Sequence, residues 1–488
     1  MDSCLNENKL PDVYEDIINS NIPKHIHFIG IGGISMSGLA EILMKNGHHI
    51  SGSDMKPSST TEKLEKMGMT IYIGHSEDNI KNPDLVVYTA AIKNDNPEFI
   101  KAQRLGIPII DRATLLGLIM KKYPYSVAVS GTHGKTTTTS MISMVTLECG
   151  LNPTVHIGGE LEYIGGATRS GGSAYFIAEA CEYCESFLKL YPFIAVILNI
   201  EYDHADYYKD IEHIRSSFLK FASLVPENGY VVVCADDENI AMILDKIPAH
   251  KVTYGINLGK KNRSSGKYTW SAENITIDPI SSCASFTLLN EGREIYTVRL
   301  AVPGIHNVYN SLATIAVCHL LGCNLRGIKT ALEKFTGTHR RFEFKGFFKN
   351  NIRVYDDYAH HPTEIKATLK AAKTMSSSRD SRIWCVFQPH TYTRTKALLD
   401  EFASSFFDAD RVIIADIYAA REPNIYGIDS GMLAEKINER SGNAMYISGF
   451  EAIANYLQDN VLPGDMVLTV GAGDIYKVGE ILLKRNND

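Results

Sequence analysis

A glycine-flanked turn that delivers a lysine and a threonine, Gly131-Thr132-His133-Gly134-Lys135-Thr136, contains the residue types that manage phosphate. Small residues let successive backbone N–H groups curl around phosphate oxygens, and a following helix adds the positive end of its dipole. Lys135 contributes a point charge and Thr136 a hydroxyl for a divalent cation, with Thr137 next in line. The spacing GxxGK[ST] is shorter than the usual phosphate-loop pattern but keeps its parts. A plain glycine turn with a surface lysine would have the same letters. The β-rich YSVAVS before the turn and the helical SMISMVTL after it supply the strand and helix that the phosphate reading requires.

A glycine loop also lies upstream, Gly30-Ile31-Gly32-Gly33-Ile34-Ser35-Met36-Ser37-Gly38, with Asp54 about 20 residues on, where the ribose-binding acid of a dinucleotide site would stand. Its third glycine falls at 33 rather than 35 and a separate phosphate loop exists, so a pyrophosphate here need not belong to NAD. Acids and histidines gather at Glu179 in AEACEYCESF and at Asp203, His204 and Asp206 in NIEYDHADY. Both clusters follow strand-like runs, so they converge on the rim near Lys135, where carboxylate and imidazole suit Mg²⁺. A single strand-end histidine could equally be a hydrogen-bonded structural residue. In the last third, FTGTHRRFEF, DDYAHHPTE and FQPHTYTRTK bring Arg340, Arg341, Tyr358, His360, His361, His390 and Arg394, a set suited to binding anions and neutralising a reacting carboxylate. Adjacent arginines are often mere surface charge, and the histidines could be caps. Cys181 and Cys184 form a CxxC without a second pair to complete a zinc site, which favours a loop segment.

For these side chains to meet, strands must end beside one another. HIHFIGIGG reads as a buried strand ending in a glycine turn, followed by a helix over 36–45; HHISGSD, LVVYTAAI and IPIID continue the alternation to about residue 120. YSVAVS, AYFIAEA, IAVILNI and YVVVCA repeat it, residues 258–300 read as an antiparallel insertion or flap, and GIHNVYNSLATIAVCHLLG as a helix. IRVYDDYA, RIWCVFQP, RVIIADIY and MVLTVGAG form a third α/β unit. The predicted organisation is an N-terminal extension over 1–22 with one helical turn, then α/β domains over 23–120, 121–336 and 337–488, which the 488-residue length accommodates. The small net charge of −7 and the lack of a basic tract disfavour nucleic acid. No leader-like start and no apolar run of about 18–20 residues appears, so a cytoplasmic chain without membrane insertion is expected. Nine scattered cysteines read as free thiols.

These motifs, in this order over residues 24–480, resemble the Mur ligases. The resemblance implies a Rossmann-like UDP-binding domain, a central P-loop ATPase domain and a C-terminal Rossmann-like domain, closing on their substrates. It implies ATP at Gly131, Thr132, His133, Gly134, Lys135, Thr136, Thr137, Asn307, Asn310, Arg341 and Asp357. Mg²⁺, with Mn²⁺ as the alternative, would sit on Thr136, Glu179 and His204. The UDP sugar would lie on Gly30, Gly32, Gly33, Ser35, Met36, Ser37, Gly38, Ser53, Asp54 and Thr89-Ala90-Ala91. The amino-acid side would use Tyr358, His360, His390 and Arg394, and Lys135, His204, Arg341, His360 and Arg394 would carry the chemistry. GIGGISMSGLAEIL is similar to the branch that joins L-alanine to UDP-N-acetylmuramate through an acyl phosphate in peptidoglycan precursor synthesis. A sibling acting with another amino acid or a murein peptide is the alternative, and a monomer or weak homodimer is expected. Two departures stand out: EACEYC replaces the family's frequent EADESD, and Thr391 stands where an arginine is usual, which shifts the holding of the alanine carboxylate toward Arg394. Outside the resemblance, an NAD-linked oxidoreductase and a catalytically idle ATP-dependent assembly protein remain as readings of the two loops.

Overall fold

A computed structural model of the chain describes residues 10–93, 95–256, 268–376, 381–420 and 422–485. Residues 1–9 of the expected extension and 258–267 of the expected insertion lie outside the described residues. Three sheets, each with helices, make a three-domain α/β protein.

The first sheet comprises β1 (His25–Ile29), β2 (His49–Asp54), β3 (Thr70–Ile73), β4 (Leu85–Tyr88) and β5 (Ile109–Asp111), all parallel in the order β3-β2-β1-β4-β5. Chain order reverses beside β1, so the glycine loop after β1 opens at the switch point where ligands of such sheets bind. Helix starts follow local chemistry. Ser58 forms a capping box with Thr61, Asn96 caps ahead of Pro97, and Asp111 ends β5 while capping the helix Arg112–Met120. The single turn expected near the N-terminus is a longer helix, Leu10–Ile18. Its last carbonyl accepts from Lys122 Nζ at 2.9 Å and lies 3.2 Å from His48 Nε2, and Ile18 is buried in the core, so packing stabilises a segment whose local pattern is weak.

The central sheet comprises β6 (Tyr125–Ser130), β7 (Thr154–Leu161), β8 (Gly166–Arg169), β9 (Tyr175–Glu179), β10 (Ile194–Ile197), β11 (Tyr230–Cys234), β12 (His250–Ile256), β13 (Trp270–Ile277), β14 (Cys283–Asn290) and β15 (Arg293–Pro303). Its order is β15-β14-β13-β12-β11-β10-β6-β9-β7-β8. The antiparallel stretch expected as an insertion or flap is no flap: β13 pairs in parallel with β12, and β13, β14 and β15 extend the main sheet. The third sheet comprises β16 (Glu343–Phe348), β17 (Ile352–Asp357), β18 (Ile383–Phe387), β19 (Arg411–Ile414), β20 (Ala444–Tyr446) and β21 (Met466–Val470), ordered β16-β17-β21-β18-β19-β20, with only β16 antiparallel.

The first two domains share one continuous apolar cluster, whereas the third sheet has a separate cluster on each face. Close contact explains the sharing. A Cβ added at Gly117 would fall 1.9 Å from the backbone oxygen of Lys189, and one at Gly38 would fall 2.0 Å from Thr168 Oγ1 on β8. Gly38 therefore serves packing between domains. Among the described residues no helix is long and apolar enough to cross a membrane.

Candidate active site

β10, β6 and β9 are neighbours, so the segments leaving their C-terminal ends must meet. After β6 the loop reaches the helix Lys135–Glu148 through Gly134 at φ +83°, a backbone state that a side chain would strain. Asn199, just past β10, pins the loop: its backbone oxygen accepts from Thr132 N–H at 3.1 Å and its Oδ1 from His133 N–H at 2.8 Å. Lys135 Nζ donates to Gly131 O, to Thr132 O and, at 2.9 Å, to Glu182 Oε1. Burial disfavours its charge, but Glu182, Cys181 and Glu179 outweigh it and the ammonium is held above its ordinary range.

Thr136 Oγ1 donates to Glu179 Oε2 at 3.0 Å, and Gly158 N–H donates to the same oxygen at 2.9 Å. Arg341, from the third domain, reaches Thr136 Oγ1 at 3.3 Å. A Cβ at Gly158 would lie 2.8 Å from the Glu179 carboxylate, and one at Gly159 would lie 2.9 Å from Thr136. This oxygen-lined cradle, kept open by two glycines, fits a small hard cation such as Mg²⁺. His204, expected beside them, lies against Glu182 instead, its Nε2 3.7 Å from Oε1, in a left-handed turn at φ +54°.

A cavity of about 370 Å³ continues from the loop, lined by His133, Gly134, Thr137, Asn307, Asn310, Arg341 and Asp357. The two asparagines are fixed by each other and by Pro303: Asn307 Nδ2 donates to Pro303 O at 2.7 Å and Asn310 Nδ2 to Asn307 Oδ1 at 3.0 Å. Burial pushes Asp357 up to about 6, although Thr368 and the Ala359 N–H donate to it. His133 also bridges to the third domain, 3.4 Å from Glu201 and 3.4 Å from Glu364, with His361 against the same Glu201. Burial alone would lower His133, but the two glutamates outweigh it and raise it to about 9. His133, Glu201 and His361 also have the mutual spacing of metal ligands, a grouping the sequence did not suggest.

The third-domain rim differs from expectation. Arg394 is paired with Asp203, Nε to Oδ1 at 2.9 Å and Nη2 to Oδ2 at 3.3 Å, and its Nη1 lies 3.3 Å from His390. Burial pushes Asp203 upward, but Arg394 dominates and keeps it well below the usual carboxylate range. The guanidinium expected to hold a substrate carboxylate is thus engaged by a protein carboxylate. Burial lowers His360 to about 3 and His390 to about 4, so both are neutral near pH 7 and offer hydrogen bonds rather than charge. Arg340 is fixed on Asp356 and the Gly471 and Gly473 carbonyls; Tyr358 lies between it and Arg341, 5.1 and 5.2 Å away. Thr391 caps the next helix at φ +66°.

In the first loop, Gly30 turns at φ +85° beneath Thr89, and Gly32 N–H donates to Asp54 Oδ2 at 2.9 Å. Ser35 Oγ lies 2.7 Å from His156 Nε2 and accepts from Arg112 at 3.0 Å. The side chains of Ser53, Met36 and Ser37 turn inward: Ser53 bonds Glu98 at 2.7 Å, Met36 is in the core, and Ser37 bonds Ile34 O. Contacts to a ligand at these three positions fall to the backbone, since the interior already holds their side chains. A cleft of about 940 Å³ runs past Ser37, Gly38 and Lys63 to Thr338 and Arg341, joining this loop to the phosphate end.

The Mur ligase family catalytic domain matches residues 25–124, the Mur ligase middle domain residues 129–318 and the Mur ligase glutamate ligase domain residues 340–473. The chain belongs to the Mur ligase family. The UDP-N-acetylmuramate–L-alanine ligase of Acetivibrio thermocellus is 61% identical over 96% of this chain and 97% of its own length. The crystal structure of the UDP-N-acetylmuramate-alanine ligase of Thermotoga maritima superposes with a TM-score of 0.79 at 31% identity, over 95% of this chain and 99% of that one. A murein peptide ligase from Psychrobacter arcticus gives 0.69 at 25% identity, over 95% and 99%.

Within this Mur ligase fold, Glu182, Asn199, Arg112 and His156 are site neighbours that the sequence did not single out. Glu182 had a signal, standing three residues after Glu179 in an acid-rich run. Asn199, Arg112 and His156 had none, because their importance comes from strands adjacent in space. The CxxC holds no metal-type grouping among the described residues, and Cys184 sits exposed in a turn at φ +50°.

Proposed function

We propose that this chain joins L-alanine to the lactyl carboxylate of UDP-N-acetylmuramate, converting ATP to ADP and phosphate, as a step of peptidoglycan precursor synthesis. The observation that carries the reading is the contact of Arg341, from the third domain, with the hydroxyl of Thr136 in the phosphate loop, which itself bonds Glu179. The name of the 61% identical relative supports the substrates.

Activation comes first, because a free carboxylate does not react with an amine. The first loop and its cleft orient the UDP sugar so that its carboxylate faces the phosphate loop. The backbone N–H groups of residues 131–136 and the ammonium of Lys135 bind the ATP phosphates, Asn307, Asn310 and Asp357 hold the nucleoside end, and Arg341 offsets charge on the phosphoryl group as it moves to the carboxylate. Mg²⁺, held by Thr136 and Glu179 with His204 nearby, supplies further positive charge for this transfer. For that to happen Lys135 exchanges some of its contacts with Glu182 and the loop carbonyls for phosphate oxygens. The acyl phosphate is protected from water by the third domain, whose links through His133 and Arg394 hold it on the loop. The alanine amine then attacks the acyl carbon and phosphate departs. We place the amino acid by Tyr358, His360, His390 and Arg394. Its carboxylate meets Arg394 only by competing with Asp203, and this takes up part of the role of the arginine absent at Thr391.

We place the enzyme in the cytoplasm, where its nucleotide substrates are, as a monomer or weak homodimer. Phosphate release with UDP-N-acetylmuramate measured across glycine, serine, L-alanine and murein tripeptide tests the substrate. Turnover is expected to be best with L-alanine, and a better rate with any other acceptor replaces this assignment by a sibling ligase.

A further inference from the structure

Three sulfur atoms meet far from the phosphate cradle. Cys149 is the C-cap of the helix Lys135–Glu148, Cys318 stands in the last turn of the helix His306–Leu320, and Cys323 follows that helix. The two helices pack against each other, and their opposite ends carry Lys135 and Thr136, and Asn307 and Asn310. At about 1.5 Å per helical residue the sulfurs lie roughly 20 Å from the cradle.

Backbone geometry accounts for one pair. Cys323 N–H donates to Cys318 O at 2.9 Å across Gly322 at φ +88°, a helix closure that folds the residue after the glycine onto the last turn. Any apolar pair would satisfy it. The closure does not account for Cys149 on the other helix, whose thiol, like that of Cys318, hydrogen-bonds to the Cys323 sulfur. The hydrogen bond from Cys318, joined by that from Cys149, outweighs burial and brings the Cys323 thiol down to about 7, while burial and Cys323 push Cys149 up to about 12. Cys323 is therefore the nucleophile of the group near neutral pH. Cys318 is fully buried, Cys323 is 4% exposed, and Cys149 is partly open to solvent.

We propose that Cys149 and Cys323 are a peroxide-responsive pair that forms a disulfide joining the C-terminal ends of these two helices. The Cys323 thiolate attacks one oxygen of hydrogen peroxide; the S–O bond forms as O–O breaks, and the departing hydroxide takes up a proton to become water. The Cys149 sulfur attacks the resulting sulfenic acid; the S–S bond forms as S–O breaks, and the Cys149 proton leaves with the displaced oxygen as a second water. Two thiols are oxidised to one disulfide and one peroxide is reduced to two waters. Cys149 resolves the sulfenic acid because it faces Cys323 from the neighbouring helix and solvent reaches it, whereas Cys318 is sealed inside its own closure.

The test treats the full-length chain with hydrogen peroxide, blocks remaining thiols, and maps unreduced peptides by mass spectrometry. The expected result is a peptide linking Cys149 to Cys323, lighter by two hydrogens than its parts, with the loss of two of the nine thiols and their recovery on adding dithiothreitol. Cys149→Ser should abolish the link and leave a sulfenic acid at Cys323 that dimedone traps. A Cys318–Cys323 link as the main product overturns the proposal, and so does a Cys323 that remains free at a peroxide dose oxidising the exposed Cys184.

Discussion

The two glycine loops have the same construction, a buried parallel strand, a glycine turn and a helix, yet they differ in what occupies the helix start. In the first, Asp54 already accepts the Gly32 N–H and the helix is wedged by Gly38 against Thr168 of the next domain. In the second, a buried lysine at the first helical position is held by Glu182 and two loop carbonyls, and an arginine arrives from a third domain. Similar backbones thus lead to different tasks. A loop with its own carboxylate suits the neutral and hydroxylated parts of a ligand, and a loop that concentrates cations suits charge transfer between phosphate and carboxylate.

The contrast breaks most sharply at Lys135. Lys135→Ala should lower ligation about a thousandfold or more while UDP-sugar binding, measured by calorimetry, stays near the unaltered value; retained turnover would remove Lys135 from the mechanism. Next is the pH response of the second loop. His133 is raised above its ordinary 6.5 to about 9, so its stabilisation is complete below pH 6.5 and is lost as pH rises through 9. Its partner Glu201 is lowered from 4.5 to about 2, so that contribution is complete above pH 4.5 and is lost as pH falls through 2. The wild-type melting temperature should therefore decline on the alkaline side by an amount equivalent to about 1 to 3 kcal/mol, and His133→Gln should flatten that decline. An unchanged alkaline slope in the variant would mean that the bridge contributes nothing.

The first loop should respond more mildly. Gly38→Ala forces Thr168 aside, and after the gain in helix propensity a net loss of about 1 to 2 kcal/mol is expected, read as a lower melting temperature and a higher KM for the UDP sugar with ATP KM unaffected. Equal effects on both KM values would show that the wedge serves both loops alike. The smallest change is Asp54→Asn, which weakens one charge-assisted bond and should raise the UDP-sugar Kd by about tenfold, or roughly 1.4 kcal/mol. A Kd equal to wild type would show that Asp54 only shapes the turn.

Much of the scaffold was visible in the chain because strands buried on both faces read as apolar runs: β1, β4, β6, β9, β10, β17, β18 and β21 announce themselves. The strands that escaped notice, β3, β16 and β20, are half exposed and lack such runs, and β7 contains two glycines. The site followed the same division. Lys135, Thr136 and Glu179 stand at strand ends beside turn residues, where their types and spacing are informative. Ser53 stands at one too, but its hydroxyl belongs to an interior network with Glu98 and His75, and nothing in its neighbours signals that.

By itself the sequence determined the strand and helix order, the two glycine turns and the presence of a cation beside the second, because backbone conformation and apolar periodicity are local properties. Only the tertiary structure decided which charges neutralise one another and which histidines stay neutral. Arg394 and Asp203 are separated by 191 positions, and Arg341 and Thr136 by 205. Such pairs depend on how domains pack, and the charge of a buried imidazole depends on what surrounds it in space.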